Sequence, residues 1–196
     1  MPSKIAVTGG IGSGKSTVCR ILQEQGYPVF SCDEINRTLW QEKDYLDGLR
    51  TRFPSCFPDG KPNKKALSSL VFSDRKALEQ LNAYAHPRIY ARLKEQMESV
   101  GRDCFAEVPL LFESGMTELF DGVIVVLRSK EERMRSAAAR DGITLQEAQE
   151  RIAKQFDYDG RLPRGCFLVR NDGDEASLSE KTLALLPLLK KKNLLA

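Results

Sequence analysis

Short apolar runs alternate along this chain with stretches whose apolar residues recur at helical spacing. Between the first two runs, Val18, Ile21 and Leu22 share one face of a helix predicted over 16–25. This alternation predicts a mostly parallel sheet covered by helices on both faces, an α/β fold. Five runs predict the strands of that sheet: 5–7, 28–32, 104–108, 123–127 and 166–169.

Polar residues mark where the helices of the second half begin and end. Ser129 with Glu132, and Thr144 with Glu147, have the spacing of capping boxes, which predict a helix start directly after each capping residue. A last helix is predicted over 178–192. Its closing lysines suit the negative end of the helix dipole, which favours a solvated helix end over a binding patch.

Residues 35–102 interrupt the alternation, because they contain helical patterns and no convincing strand. They predict a helical insertion between the second and third strands, within a core formed by 1–34 and 103–196. Ligands of such sheets bind beyond the carboxyl ends of the strands, so an insertion leaving that edge can enclose a second substrate. Within it, Pro87 is predicted to open a new helix, since proline suits the first helical position.

Composition narrows the class of protein. In 196 residues, Lys and Arg total 30 against 27 for Asp and Glu, an excess of 30 − 27 = 3 that does not suggest a nucleic-acid binder. The five cysteines are scattered and never in C-x-x-C spacing, which favours reduced thiols in a cytosol. No signal peptide and no membrane-length apolar run is evident. We therefore expect a cytoplasmic protein without a membrane partner.

Candidate chemistry is concentrated in residues 9–17, which read GGIGSGKST and follow the first predicted strand directly. This is the pattern G-x-x-x-x-G-K-[ST] between a strand and a helix. Glycines let successive N–H groups point at an anion, and the helix N-terminus adds partial positive charge. The sequence predicts a nucleoside-triphosphate site, with Lys15 on the β- and γ-phosphates and Ser16 on Mg²⁺. The predicted contact residues are Gly10, Ile11, Gly12, Ser13, Gly14, Lys15, Ser16 and Thr17.

Three further positions allow two interpretations each. Asp33 follows the second strand, where it either accepts a proton or helps hold Mg²⁺, or else caps a helix that begins at Glu34. Arg140 and Arg151, with Arg133 and Arg135 on the same segment, form either a phosphate lid over about 129–156 or an exposed charged surface. His86 either has a structural role or points into a substrate cleft.

Together these residues resemble the dephospho-CoA kinase family over nearly the whole chain. The run VPLLFE at 108–113 and the His-Pro-x-Ile element at 86–89 are far more particular to that family than the glycine-rich loop. The resemblance also rests on residues at other positions: Thr8 to Ser16, Asp33, Arg140-Asp141, Arg151-Ile152-x-x-Gln155 and Asn171-Asp172-Gly173.

The resemblance implies a fold like that of the P-loop nucleoside-triphosphate hydrolases, in a single kinase domain with a helical insertion and a lid. It implies ATP- and Mg²⁺-dependent phosphorylation of the ribose 3′-hydroxyl of dephospho-CoA, giving coenzyme A and ADP. We expect a monomer acting on these small molecules. Lys15, Asp33 and Arg140 would be catalytic, and Asn171 would lie near the adenine of ATP. The acceptor would contact Asp33, His86, Leu110, Leu111 and Glu113.

The chain departs from the family pattern at three places, and two rival functions stay open. Ser31 stands where relatives usually carry an acid, Gly165-Cys166 where they commonly carry Ala-Asp, and Ser136 where they carry an arginine. Residues 159–164, DGRLPR, faintly resemble an element of adenylate kinases, although we predict a loop there, so a nucleoside-monophosphate kinase is one rival. The other is a binding protein that hydrolyses ATP slowly as a switch; acceptor-independent ATP turnover would favour it.

Overall fold

The computed structural model describes residues 1–160 and 162–196. Its sheet has five parallel strands in the order β2-β3-β1-β4-β5, so β1 lies at the centre. Apolar residues dominate the central strands because helices cover both faces of such a sheet. The strands are β1 (Lys4–Thr8), β2 (Val29–Ser31), β3 (Cys104–Glu107), β4 (Gly122–Leu127) and β5 (Phe167–Arg170).

Eight α-helices connect or flank these strands in the described part of the chain. Short 3₁₀ turns at Pro54–Cys56, Pro58–Gly60 and Met116–Leu119 join some of them. The helices are α1 (Lys15–Glu24), α2 (Cys32–Leu39), α3 (Lys43–Arg52), α4 (Lys64–Ser73), α5 (Arg75–Ser99), α6 (Lys130–Asp141), α7 (Leu145–Ala153) and α8 (Glu175–Lys191). The α/β class and the parallel sheet predicted from the sequence are confirmed.

The core of the sheet lies between β1, β3, β4 and the helices α1 and α8. Leu22 of α1 and Leu189 of α8 are fully buried against Phe105 and Ile124 of the sheet. Tyr27 meets the ring of Phe105 edge-on, with 5.2 Å between the ring centroids. Full burial of one such side chain contributes about 1.5–3 kcal/mol, so this layer fixes α1 on the sheet. The loop before α1 is thereby held at the carboxyl end of β1.

The chain divides into two compact units. The first contains Met1–Ser31 and Gln96–Ala196, with the whole sheet, and the second contains Cys32–Glu95. The second unit is helical, and it has its own aromatic core in which Tyr45 and Tyr84 stack with 5.3 Å between ring centroids. The Tyr84 hydroxyl donates a hydrogen bond to the Tyr45 carbonyl at 3.1 Å. The insertion predicted over 35–102, and its predicted role in enclosing a second substrate, stay predictions.

Within the second unit, the prediction for Pro87 is wrong, and one of the two interpretations of Asp33 is excluded. Pro87 does not open a helix, because it lies inside the continuous 25-residue helix α5. Buried Tyr84, Ile89 and Leu93 anchor that helix on both sides of the proline, and such packing outweighs the lost hydrogen bond. Asp33 does not cap α2 either, since the helix begins one residue earlier, at Cys32, and Asp33 lies in its first turn.

The loop predicted at 159–164 lies outside the helices and strands wherever it is described, while Arg161 lies outside the described residues. Among the helices that the structure describes, none combines the length and the apolarity needed to cross a membrane.

Candidate active site

The glycine-rich loop connects the carboxyl end of β1 to the first turn of α1. Gly9, Gly12 and Gly14 have φ angles of 150°, 73° and 99°, which L side chains rarely adopt. A Cβ atom at Gly9 would also overlap the carbonyl oxygen of Val126, and one at Gly14 would overlap Nδ2 of Asn171. Glycine is therefore required for both conformation and space. The loop curls around the N-terminus of α1, where N–H groups lack intrahelical partners and attract anions.

Lys15 is the first residue of α1, and its side chain folds back over the loop. Its ammonium Nζ donates hydrogen bonds to the carbonyls of Gly9 at 2.9 Å and Gly10 at 3.1 Å. The residue is 8% exposed, so this cation is held in a largely dry position. A buried ammonium at the N-terminus of a helix is suited to binding a polyphosphate.

Side chains from distant parts of the chain hold the loop in place. The N–H of Ile11 donates to Oε1 of Gln155 at 2.7 Å, and Nδ2 of Asn171 donates to the carbonyl of Ser13 at 2.9 Å. Asn171 is 8% exposed. The Asn171 amide therefore supports the glycine-rich loop directly. Its expected position near the adenine of ATP stays a prediction. The structure brings Asn171 and the predicted residues 10–17 together at one site.

A carboxylate that the sequence analysis did not single out lies beside Ser16. Glu107 is the last residue of β3, and its Oε1 accepts a hydrogen bond from the Ser16 hydroxyl at 2.9 Å. A hydroxyl and a carboxylate at this separation form the kind of oxygen ligand set that Mg²⁺ uses in proteins. Glu107 also adds to the effect of burial in raising the pKa of the Cys19 thiol. The available signal was a single acid at the end of an otherwise apolar strand.

The segment after α7 packs on the loop that follows β3. Glu113, predicted to contact the phosphoryl acceptor, accepts a hydrogen bond from the N–H of Phe156 at 2.7 Å. The ring centroids of Phe112 and Phe156 lie 4.7 Å apart. The Tyr158 hydroxyl lies 3.3 Å from Oγ1 of Thr8, and burial raises the pKa of Tyr158 to about 12. Of the two predicted leucine contacts nearby, Leu111 is buried and Leu110 is exposed.

Most of the predicted lid arginines lie on the surface of the α6–α7 hairpin. Arg140 contacts Oδ1 of Asp141 at 2.8 Å, and Arg151 contacts Oδ2 of the same carboxylate at 3.0 Å. The Arg140 hydrogen bond holds the pKa of Asp141 below its usual range. Arg133 differs, because its side chain is 3% exposed and its guanidinium contacts Asp159 at 2.7 Å.

Two predicted residues belong to the second unit. Asp33 is exposed in the first turn of α2. His86 is half-buried in α5 with its ring 5.4 Å from that of Tyr90, and burial lowers the pKa of its imidazole. The catalytic and acceptor-binding roles of these two residues stay predictions.

The parallel sheet, the glycine-rich loop and the buried Lys15 define a P-loop nucleotide-binding fold. Two solved kinases have the same fold. A gluconokinase from Sinorhizobium meliloti has a TM-score of 0.58 at 18% identity and covers 98% of this chain and 95% of its own. A shikimate kinase from Acinetobacter baumannii has a TM-score of 0.57 at 14% identity and covers 99% of this chain and 96% of its own. The family model described as dephospho-CoA kinase matches residues 3–177. The chain therefore belongs to the dephospho-CoA kinase family.

Individual relatives agree with this assignment. A dephospho-CoA kinase from Thermus thermophilus is 34% identical over 186 residues, covering 94% of this chain and 91% of the relative. A crystal structure from the same organism has a TM-score of 0.83 at 34% identity and covers 97% of both chains. The dephospho-CoA kinase of Campylobacter jejuni has a TM-score of 0.71 at 28% identity, covering 98% of this chain and all of that one (100%).

Proposed function

We propose that this chain transfers the γ-phosphoryl group of ATP to the ribose 3′-hydroxyl of dephospho-CoA, giving coenzyme A and ADP, the final step of coenzyme A synthesis. The observation that carries the proposal is the family match over residues 3–177, which includes the glycine-rich loop and its buried lysine. Phosphoryl transfer needs little covalent help from a protein, so catalysis rests on positioning and on neutralising charge.

Lys15 and the loop N–H groups would hold the β- and γ-phosphates. When ATP binds, the ammonium exchanges the carbonyls of Gly9 and Gly10 for phosphate oxygens, which are stronger acceptors because they are charged. Asp33 would accept the proton of the attacking hydroxyl. Arg140 would close over the transferring group as the lid over about 129–156 moves, which requires it to leave Asp141.

Mg²⁺ would be held at Ser16 and Glu107, whose oxygens already lie 2.9 Å apart. The hydroxyl fits direct ligation, and the carboxylate fits ligation either directly or through water. The ion supplies charge neutralisation to the phosphates when bound. Ser16 and Glu107 would hold it near the N-terminus of α1.

The acceptor would contact residues of the helical insertion and residues of the loop that follows β3. Asp33 and His86 would contribute from the insertion, and Leu110, Leu111 and Glu113 from the loop. We infer a cytoplasmic monomer that takes both substrates from solution.

Substitution of the two central residues tests the mechanism. We expect Lys15→Ala to abolish turnover, because the variant loses the buried charge that would neutralise the β- and γ-phosphates. We expect Asp33→Asn to lower kcat by about two or more orders of magnitude, the scale for loss of a positioned base. Steady-state rates with dephospho-CoA and Mg·ATP measure both. Near wild-type activity in Asp33→Asn would contradict the assignment of the base.

A further inference from the structure

Arg133 differs from the other arginines of α6 in its environment. Arg135 and Arg140 are exposed, whereas only 3% of the Arg133 side chain is accessible to solvent. A buried charge is costly unless ion pairs and hydrogen bonds satisfy it. Its presence in α6 therefore needs a compensating partner.

The compensation within the described residues is incomplete. Arg133 Nη2 contacts Oδ2 of Asp159 at 2.7 Å, but its buried Nε has no hydrogen-bond partner in the described part of the chain. The Asp159 side chain is 54% exposed and lines a cavity of about 560 Å³ beside the carboxyl ends of β4 and β5. Solvent therefore competes for its carboxylate, and the charge of Arg133 is only partly balanced.

The guanidinium of Arg133 lies directly against the glycine-rich loop. A Cβ atom at Gly10 would overlap its Nη1, and one at Gly12 would overlap its main-chain carbonyl. Gly10 has no positive φ, so a side chain at this position would be limited by the Arg133 guanidinium rather than by the backbone conformation. The Lys15 ammonium donates to the carbonyl of the same Gly10. The buried cations of Lys15 and Arg133 therefore both contact the loop at Gly10.

We propose that Arg133 is a second buried cation of the phosphate site, and that its guanidinium exchanges Asp159 for a phosphate oxygen of the bound nucleoside triphosphate. The inference rests on the proposed function only in taking a triphosphate as the donor. Charge-assisted bonds from a guanidinium to phosphate are among the strongest hydrogen bonds in proteins. The triphosphate would present negative charge to both Lys15 and Arg133.

The alternative is an ion pair that only ties α6 to the segment after α7. The two accounts differ in the expected effect of Asp159→Asn. If the pair is structural, loss of either partner weakens nucleotide binding to a similar extent. If Arg133 binds phosphate, Asp159 competes with the nucleotide, and its neutralisation leaves ATP affinity unchanged or raises it.

The test is calorimetric titration of ATP with Mg²⁺, without acceptor, into wild type and variants. We expect Arg133→Gln to weaken ATP binding by about tenfold to a hundredfold, the scale for one charged hydrogen bond. Asp159→Asn should bind at least as tightly as wild type. Lys130→Gln, which removes an exposed cation from the same helix, is the matched control and should bind as wild type does.

Two results would overturn the proposal: unchanged affinity in Arg133→Gln, or weakening in Asp159→Asn comparable to that in Arg133→Gln. If Arg133→Gln does not fold, as thermal melting reports, Asp159→Asn decides alone, and any tenfold loss of affinity in that variant contradicts the proposal. Assay of wild type with dephospho-CoA separates the two claims. A protein that binds ATP but leaves dephospho-CoA unmodified refutes the proposed function and not the role of Arg133.

Discussion

At the carboxyl end of β3, the Glu107 carboxylate and the Ser16 hydroxyl are joined by a 2.9 Å hydrogen bond. Both residues lie on elements, α1 and β3, that contribute buried side chains to the core. We propose that the pair serves a shared ligand. A hydroxyl and a carboxylate at the N-terminus of the phosphate-binding helix are the groups expected to hold Mg²⁺ with a nucleotide.

Neutralising Glu107 tests this pairing. We expect Glu107→Gln to raise the Mg²⁺ concentration for half-maximal activity by about tenfold or more, the scale for loss of a group that supports a metal site. Activity measured across a Mg²⁺ titration at fixed ATP gives this value. Glu118→Gln, at an exposed acid in the same unit, is the control. An unchanged Mg²⁺ requirement in Glu107→Gln would rule out the assignment.

At the scale of elements, local capping defines the helix ends of the α6–α7 hairpin, while Ala137 and Ala148 are buried within it. The Ser129 side chain accepts from the N–H of Glu132, and Thr144 forms a complete capping box with Glu147. Both capping boxes predicted from the sequence are thereby located at helix N-termini. Gly142 ends α6 in the left-handed conformation, which turns the chain into α7.

Removing the cap of α7 should loosen this hairpin selectively. Thr144→Ala deletes the hydroxyl that accepts from the N–H of Glu147 at 3.2 Å, and we expect a cost of about 1 kcal/mol to α7. Hydrogen exchange should accelerate in α7 and stay unchanged in the central strands. Thr144→Ser keeps the hydroxyl and should retain protection. Equal exchange in Thr144→Ala and wild type would show that the cap contributes nothing.

At the scale of the whole molecule, the sequence predicts the sheet and the phosphate loop because both are encoded locally. Five apolar runs and one glycine pattern are enough for those features. The contacts that complete the site are not local, since Glu107 and Ser16 are 91 residues apart and Gln155 and Ile11 are 144 apart. No periodicity specifies such pairs. The prediction that Pro87 opens a helix is wrong for the same reason, since packing against distant residues keeps α5 continuous through the proline.

The central claim is that this chain phosphorylates dephospho-CoA. The most direct measurement is mass spectrometry of the products formed from Mg·ATP with dephospho-CoA, AMP, adenosine or pantothenate. We predict that dephospho-CoA gains a single phosphoryl group on its ribose 3′-hydroxyl while ATP becomes ADP, with the other acceptors left unmodified. Phosphorylation of AMP but not of dephospho-CoA, or ATP turnover that needs no acceptor, would contradict the account.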